Sequence, residues 1–129
     1  MKLLSASILA AALLAGCGSM SSSPAPDTPT RTVDGVLIGP NGMTLYTFAR
    51  DTAGSGKSVC NAQCAANWPP LMAPEAAKPM GGYSVVVRDD GKKQWAYKGQ
   101  PLYYWAKDAK AGDRTGDGML QGAWKVARP

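Results

Sequence analysis

The chain has 129 residues and a formal net charge of +5 at pH 7, so it is long enough for a single domain with one modest core. It contains no histidine, which excludes a Ser–His or Cys–His nucleophile pair and the commonest general base of enzymes. The basic residues are scattered, with no run longer than Lys92-Lys93. This pattern indicates a solvated surface rather than a nucleic-acid site.

The first 16 residues have the character of a secretory signal. Lys2 supplies a positive start, and the apolar run over 3–14 is too short to span a bilayer as a permanent helix. The tetrapeptide Leu14-Ala15-Gly16-Cys17 resembles a bacterial lipobox, which implies cleavage before Cys17 and lipid attachment to its thiol. We therefore expect an extracytoplasmic, membrane-anchored protein. In a Gram-negative host, the absence of aspartate after Cys17 points to the outer membrane, facing the periplasm.

Residues 17–32 are rich in Ser, Pro and Thr and contain no aromatic residue. Such a segment cannot bury enough apolar surface to become ordered, so it is expected to be a flexible tether. All ten aromatic residues lie between Tyr46 and Trp124. A single β-rich domain over residues 33–129 is therefore predicted to follow the tether.

An internal repeat is visible within this domain. The segment 42–51 aligns with the segment 99–108 at a constant offset, and Trp68 corresponds to Trp124 within one residue of that offset. Two copies are too few for a solenoid. We predict two related units, at about 34–73 and 90–126, that share one core.

Strands are predicted where β-branched and aromatic runs are bounded by Gly, Asp or Asn. These runs lie at 33–38, 44–49, 83–88, 94–97, 102–106 and 123–127, with hairpin turns at 40–42, 89–91 and 98–99. A short helix is predicted at 62–67 with Asn61 as its N-cap, and a long loop at 109–122. The predicted fold class is mainly β: a small antiparallel domain built from two related repeats, with one short helix.

Two cysteines remain once Cys17 is assigned to lipid. Cys60 and Cys64 are expected to form a disulfide, because an even number of cysteines in an oxidising compartment favours pairing. The bond would fix the loop that precedes Trp68. The alternatives are a redox role, although the C-x-x-C spacing usual for it is missing, and copper(I) binding by the two thiolates with Met72 or Met80.

The aromatic residues of each copy alternate along a predicted strand. Alternation places Tyr46 and Phe48 on one face, and both faces are apolar, so the strand should lie between two packed layers. Asp51 and Asp108 follow the strands, where a carboxylate can accept backbone N–H groups of a turn. The alternative is a ligand cleft between the copies, formed by Tyr46, Phe48, Asp51, Trp68, Tyr103, Trp105 and Asp108.

The chain resembles a known family at these positions. Tyr46-Thr47-Phe48-Ala49-Arg50-Asp51 and Tyr103-Tyr104-Trp105-Ala106-Lys107-Asp108 both match a Y-x-[FWY]-x-x-D motif, and the segment 60–70 matches its continuation in the first copy. This motif marks the "secreted repeat of unknown function" of bacterial and archaeal lipoproteins. The resemblance implies localisation and architecture, and it implies no activity.

These observations favour a non-catalytic envelope module without a cofactor, which binds or scaffolds an envelope protein or a cell-wall polymer. The expected partners also include the membrane, through the lipid, and exclude nucleic acid. One alternative is an envelope redox or copper-handling protein that uses Cys60 and Cys64. Another is a carbohydrate-active enzyme in which Asp51 and Asp108 converge on a sugar. Three observations discriminate between these hypotheses: exposure of the aromatic side chains, access of solvent to the sulfurs, and convergence of the two carboxylates on one cleft, which a separation above about 10 Å would exclude.

Overall fold

The computed structural model describes residues 28–129. The predicted signal peptide, the lipidation site Cys17 and most of the predicted tether lie outside the described residues. The described part is mainly β, with antiparallel pairing throughout, which confirms the predicted fold class. Its elements are β1 (Arg31–Val33), β2 (Val36–Ile38), β3 (Tyr46–Phe48), α1 (Gln63–Asn67), β4 (Tyr83–Val87), β5 (Lys93–Tyr97), β6 (Gln100–Pro101), α2 (Met119–Gly122) and β7 (Trp124–Val126).

The strands form three small sheets, with orders β1-β2, β3-β7 and β4-β5-β6. The β3-β7 sheet joins the first repeat to the second, since Phe48 pairs with Trp124. The repeats also meet where Tyr46 and Tyr103 exchange two backbone bonds: the amide of Tyr46 donates to the carbonyl of Tyr103 at 2.8 Å, and the reverse bond measures 3.0 Å. This reciprocal pair lies at the junction of the two repeats.

The first hairpin differs from the prediction of one strand over 33–38. The chain turns back at Asp34 and Gly35, whose φ angles are 51° and 74°. Two consecutive left-handed residues form the two-residue turn that matches the twist of a β-hairpin. The prediction of one strand is wrong because it follows the β-branched residues on both sides of the Asp34-Gly35 dipeptide, which is itself typical of this turn. The ordered domain also begins earlier than predicted, since β1 starts at Arg31 within the predicted tether.

The three predicted hairpin turns are present. Backbone bonds run from Gly42 to Gly39 and from Gly91 to Arg88, and Lys98 and Gly99 have left-handed φ angles. The strand predicted over 102–106 is reduced to isolated bridges at Tyr103. Its neighbour there is the irregular segment 67–70, whose prolines have no N–H group with which to continue a ladder.

The first helix begins at Gln63, one residue later than predicted. Asn61 is not its N-cap; its side-chain amide instead donates to the Asp89 carboxylate at 3.0 Å. The predicted loop over 109–122 contains α2, but Leu120 and Gln121 within it have left-handed backbone angles. This element is therefore a compact turn at the end of an otherwise irregular segment.

Two clusters of buried side chains form the core. Leu45 packs into one cluster and Tyr46, the next residue, packs into the other, so β3 lies between two layers as its alternation predicts. The first cluster comprises Val36, Tyr46, Phe48, Cys60, Trp68, Tyr103, Trp105, Trp124 and Val126. The second comprises Leu37, Leu45, Leu71, Trp95, Leu102 and Ala127.

Candidate functional site

The tyrosine and aspartate of the repeated motif pair across the two repeats. The Tyr46 hydroxyl donates to Asp108 Oδ2 at 2.6 Å, and the Tyr103 hydroxyl donates to Asp51 Oδ2 at 2.5 Å. All four side chains are buried. Each motif is therefore completed by the other copy, and the two cross-repeat bonds lie beside the reciprocal Tyr46–Tyr103 backbone pair.

The second oxygen of each carboxylate holds the loop that follows its motif. Asp51 Oδ1 accepts the amide of Val59 at 2.8 Å, and Asp108 Oδ1 accepts both the amide and the hydroxyl of Thr115 at 3.0 and 2.6 Å. The carboxylates accept backbone N–H groups, as the sequence predicts, but from residues seven or eight positions ahead. Each carboxylate therefore fixes a loop of seven or eight residues rather than a local turn.

Burial sets the protonation of these groups. It raises the pKa of Tyr46 and of Tyr103 far above the usual range of tyrosine, and the hydrogen bonds to Asp108 and Asp51 reinforce the effect. Burial also raises the pKa of Asp51, against the opposing bonds from Tyr103 and Val59 and the charge of Arg88. Both tyrosines thus act as hydrogen-bond donors to the carboxylates at neutral pH.

Four aromatic rings form a stack through the same interior. Phe48 stacks on Trp124 with ring centroids 4.1 Å apart, Trp124 on Trp68 at 3.8 Å, and Trp68 on Trp105 at 4.1 Å. The rings come alternately from the first and the second repeat. A Cβ atom at Gly116 would lie 2.7 Å from the Trp68 ring. The loop approaches the stack so closely that only glycine fits at this position.

The structure brings all seven candidate ligand-binding residues together but buries them. None is more than 8% exposed. The aromatic rings stack on one another, and a buried tyrosine hydroxyl donates a hydrogen bond to each carboxylate. The hypothesis of an open aromatic and carboxylate cleft at these positions is therefore corrected: they form the interior. The same closure leaves Asp51 and Asp108 inaccessible to a sugar, as the carbohydrate hypothesis would require.

Sequence reasoning missed a buried arginine beside this interior. Arg88 is 5% exposed; its Nη1 donates to Gln94 Oε1 at 2.7 Å and to Ser58 Oγ at 3.1 Å, and its Nη2 donates to the carbonyl of Cys60 at 2.5 Å. Ser58 is also bonded to the Tyr103 hydroxyl at 2.6 Å. The guanidinium thus belongs to the same network as the Tyr103–Asp51 pair, although no sequence pattern marks it.

Cys60 and Cys64 form the predicted disulfide, with Cα atoms 5.1 Å apart. Cys60 is fully buried and Cys64 packs partly buried against the aromatic cluster. Both sulfurs are bonded to each other, so the thiolate pair that copper(I) would need is not present in this state. Within residues 28–129, no three His, Cys, Asp or Glu side chains are grouped so as to hold a metal ion.

Cross-paired β repeats around one aromatic stack define the chain as a two-repeat β module. The family described as a secreted repeat of unknown function matches residues 28–72 and 84–128, and the chain belongs to this family. Each matched segment contains one Y-x-[FWY]-x-x-D motif. No curated protein and no solved structure matches the chain. Over residues 28–129, the structure contains no helix that is both long and apolar enough to cross a membrane.

Proposed function

We propose that the protein is a lipid-anchored, non-catalytic module of the cell envelope, which binds or scaffolds an extracytoplasmic partner through its surface. The observation that carries this proposal is the burial of all seven candidate residues, the six of the two motifs and Trp68. Because these side chains satisfy one another, the repeated motif serves the architecture of the domain. Binding must then use solvent-facing residues outside the motif.

The distribution of charge supports an anionic partner. Two carboxylates, Asp51 and Asp108, and one guanidinium, Arg88, are buried. Their removal from the surface leaves the solvent-facing charge of the cleaved chain, which lacks Lys2, more positive by one than its formal balance of 13 basic and 9 acidic residues. A basic surface close to a bilayer attracts headgroups and acidic wall polymers.

The anchor is tested by replacing Cys17 in a bacterial host, with Ser19→Ala as the matched control. The wild type and Ser19→Ala are expected in the membrane fraction, with an intact mass that includes acyl chains. Cys17→Ala should be unacylated and should leave the acylated membrane-bound pool, because each buried methylene of an acyl chain contributes about 0.8 kcal/mol to anchoring. An acyl modification that survives in Cys17→Ala would refute the anchor.

The structural role of the motif is tested separately with Tyr103→Phe. This variant removes one donor from Asp51 but keeps the ring in place. At a temperature at which it is folded, it should bind isolated cell envelopes as well as the wild type does. A loss of binding by a folded Tyr103→Phe protein would return the motif to a direct role in recognition.

A further inference from the structure

A cleft of about 340 Å³ lies between the β1-β2 hairpin and the loop 111–114. Its lining is apolar at Ile38 and at Val33, of which 48% is exposed. Val36 borders the cleft but is only 1% exposed, because it packs into the core. Arg31 and Arg114 line the same cleft and are both exposed to solvent. The cleft therefore combines an apolar wall with two guanidinium groups.

The basic character of this region extends to the tip of the hairpin. Arg114 Nη2 donates to the carbonyl of Asp34 at 3.4 Å, and Arg128 Nη1 donates to the carbonyl of Gly35 at 3.2 Å. The one carboxylate among the lining residues is that of Asp34. Nearby Asp113 is paired with Lys110 at 3.0 Å, so the guanidinium groups dominate the local charge.

The residue of the second repeat that corresponds to Val36 has a different environment. The bond from Leu102 to the carbonyl of Trp95 repeats the bond from Leu45 to the carbonyl of Leu37, so Val36 corresponds to Gln94. In the second repeat the longer hairpin places the Arg88 guanidinium on Gln94. The first repeat has valine there and only a two-residue turn, and Val36 is buried in the core beside the cleft. The second repeat places its own guanidinium on this residue, whereas the arginines near Val36 in the first repeat lie in the cleft beside it.

We propose that this cleft binds the phosphate headgroup of an anionic membrane phospholipid. Guanidinium groups are suited to phosphate oxygens because their donors form a planar fork, and the apolar wall can cover the glycerol backbone. The choice of a lipid rests on the proposed anchor: Arg31 follows Cys17 by 14 residues, a contour length of at most about 50 Å. Headgroups are thus held at high effective concentration next to the cleft.

The test uses the full chain reconstituted in vesicles of phosphatidylcholine alone or with about one third phosphatidylglycerol. Arginines are modified with phenylglyoxal, an uncharged reagent, and each modification rate is read by mass spectrometry. In the anionic vesicles, Arg31 and Arg114 should react about fivefold more slowly, the change expected for one basic residue near an anionic surface. Arg50, an exposed arginine that does not line the cleft, is the internal control and should not change.

Equal protection of Arg31, Arg114 and Arg50, or no protection of the first two, would overturn the proposal. A further arm adds inorganic phosphate to the neutral vesicles; protection equal to that of the anionic lipid would assign the cleft to a free anion instead. Asp34→Asn removes the opposing carboxylate and should increase the protection by phosphatidylglycerol. Flotation with neutral vesicles reports the anchor independently, so failure of the anchor and failure of the cleft are distinguishable.

Discussion

The two repeats bury the same motif residues but differ in the groups that surround those residues. In both, the motif tyrosine bonds to the aspartate of the other copy, and one indole of each copy lies at the centre of the aromatic stack. Only the second repeat adds a buried guanidinium, Arg88. Only the first has a disulfide, and its β1-β2 hairpin forms an open cleft with the loop 111–114 of the second repeat. The residues shared by the copies thus face each other in the interior. Of the features that differ, Arg88 and Cys60 are also buried, whereas the arginines of the cleft face solvent, where a binding function can arise.

The most severe test of this comparison is to truncate the equivalent indoles. Trp68→Ala and Trp124→Ala should each lower the free energy of unfolding by about 3–5 kcal/mol, because each removes the centre of a shared stack. Urea unfolding followed by far-ultraviolet circular dichroism measures both. A tolerated substitution at one site alone would show that the stack is not shared equally by the repeats.

Arg88 and Arg31 should respond differently, although both lie beside a β-hairpin. Arg88→Ala leaves Gln94 and the carbonyl of Cys60 without a buried donor and should cost about 3 kcal/mol. Arg31→Ala changes an exposed side chain and should stay within about 0.5 kcal/mol of the wild type. Thermal unfolding of the two variants measures both changes. Equal losses of stability would contradict the difference between a buried arginine in the second repeat and an exposed arginine in the first.

The loss of stability at high pH should report the ionisation of the buried motif tyrosines. The unfolded chain releases their protons near pH 10, whereas burial raises the pKa of Tyr46 and of Tyr103 in the folded state. Stability is therefore retained below about pH 10 and lost above it, by about 1.4 kcal/mol per pH unit for each tyrosine. Burial also raises the pKa of Tyr104, to about 12, so three tyrosines contribute to the slope. Urea midpoints between pH 8 and 12 measure it, and Tyr46→Phe should remove about one third of it. An unchanged slope in that variant would refute this origin.

The disulfide should have a smaller effect because it closes a short loop. Replacing Cys60 and Cys64 together with alanine should lower stability by about 2 kcal/mol in the chain-entropy description. The second repeat forms its half of the stack without such a bond, so the variant should still fold. Far-ultraviolet circular dichroism at 20–25 °C checks this outcome. A variant that is unfolded at that temperature would show that the first repeat depends on its bond in a way that the second does not.

Much of this architecture can be predicted from the sequence because it depends on local rules. The alternation at Leu45 and Tyr46 predicts a strand between two layers, and Gly99 marks a hairpin turn. Other features depend on contacts between distant segments. Two tyrosines and two aspartates can pair within or across repeats, and the reciprocal Tyr46–Tyr103 backbone pair selects the crossed arrangement. The burial of Arg88 likewise depends on acceptors 27–30 residues away.

The crossed pairing is tested most directly by double-mutant cycles on the free energy of unfolding. Tyr→Phe and Asp→Asn substitutions are combined in all four tyrosine–aspartate pairs. The Tyr46–Asp108 and Tyr103–Asp51 pairs should show coupling energies of about 1 kcal/mol or more, and the pairs within one repeat should be near additive. Strong coupling within a repeat, with none across, would contradict the account that the two motifs complete each other.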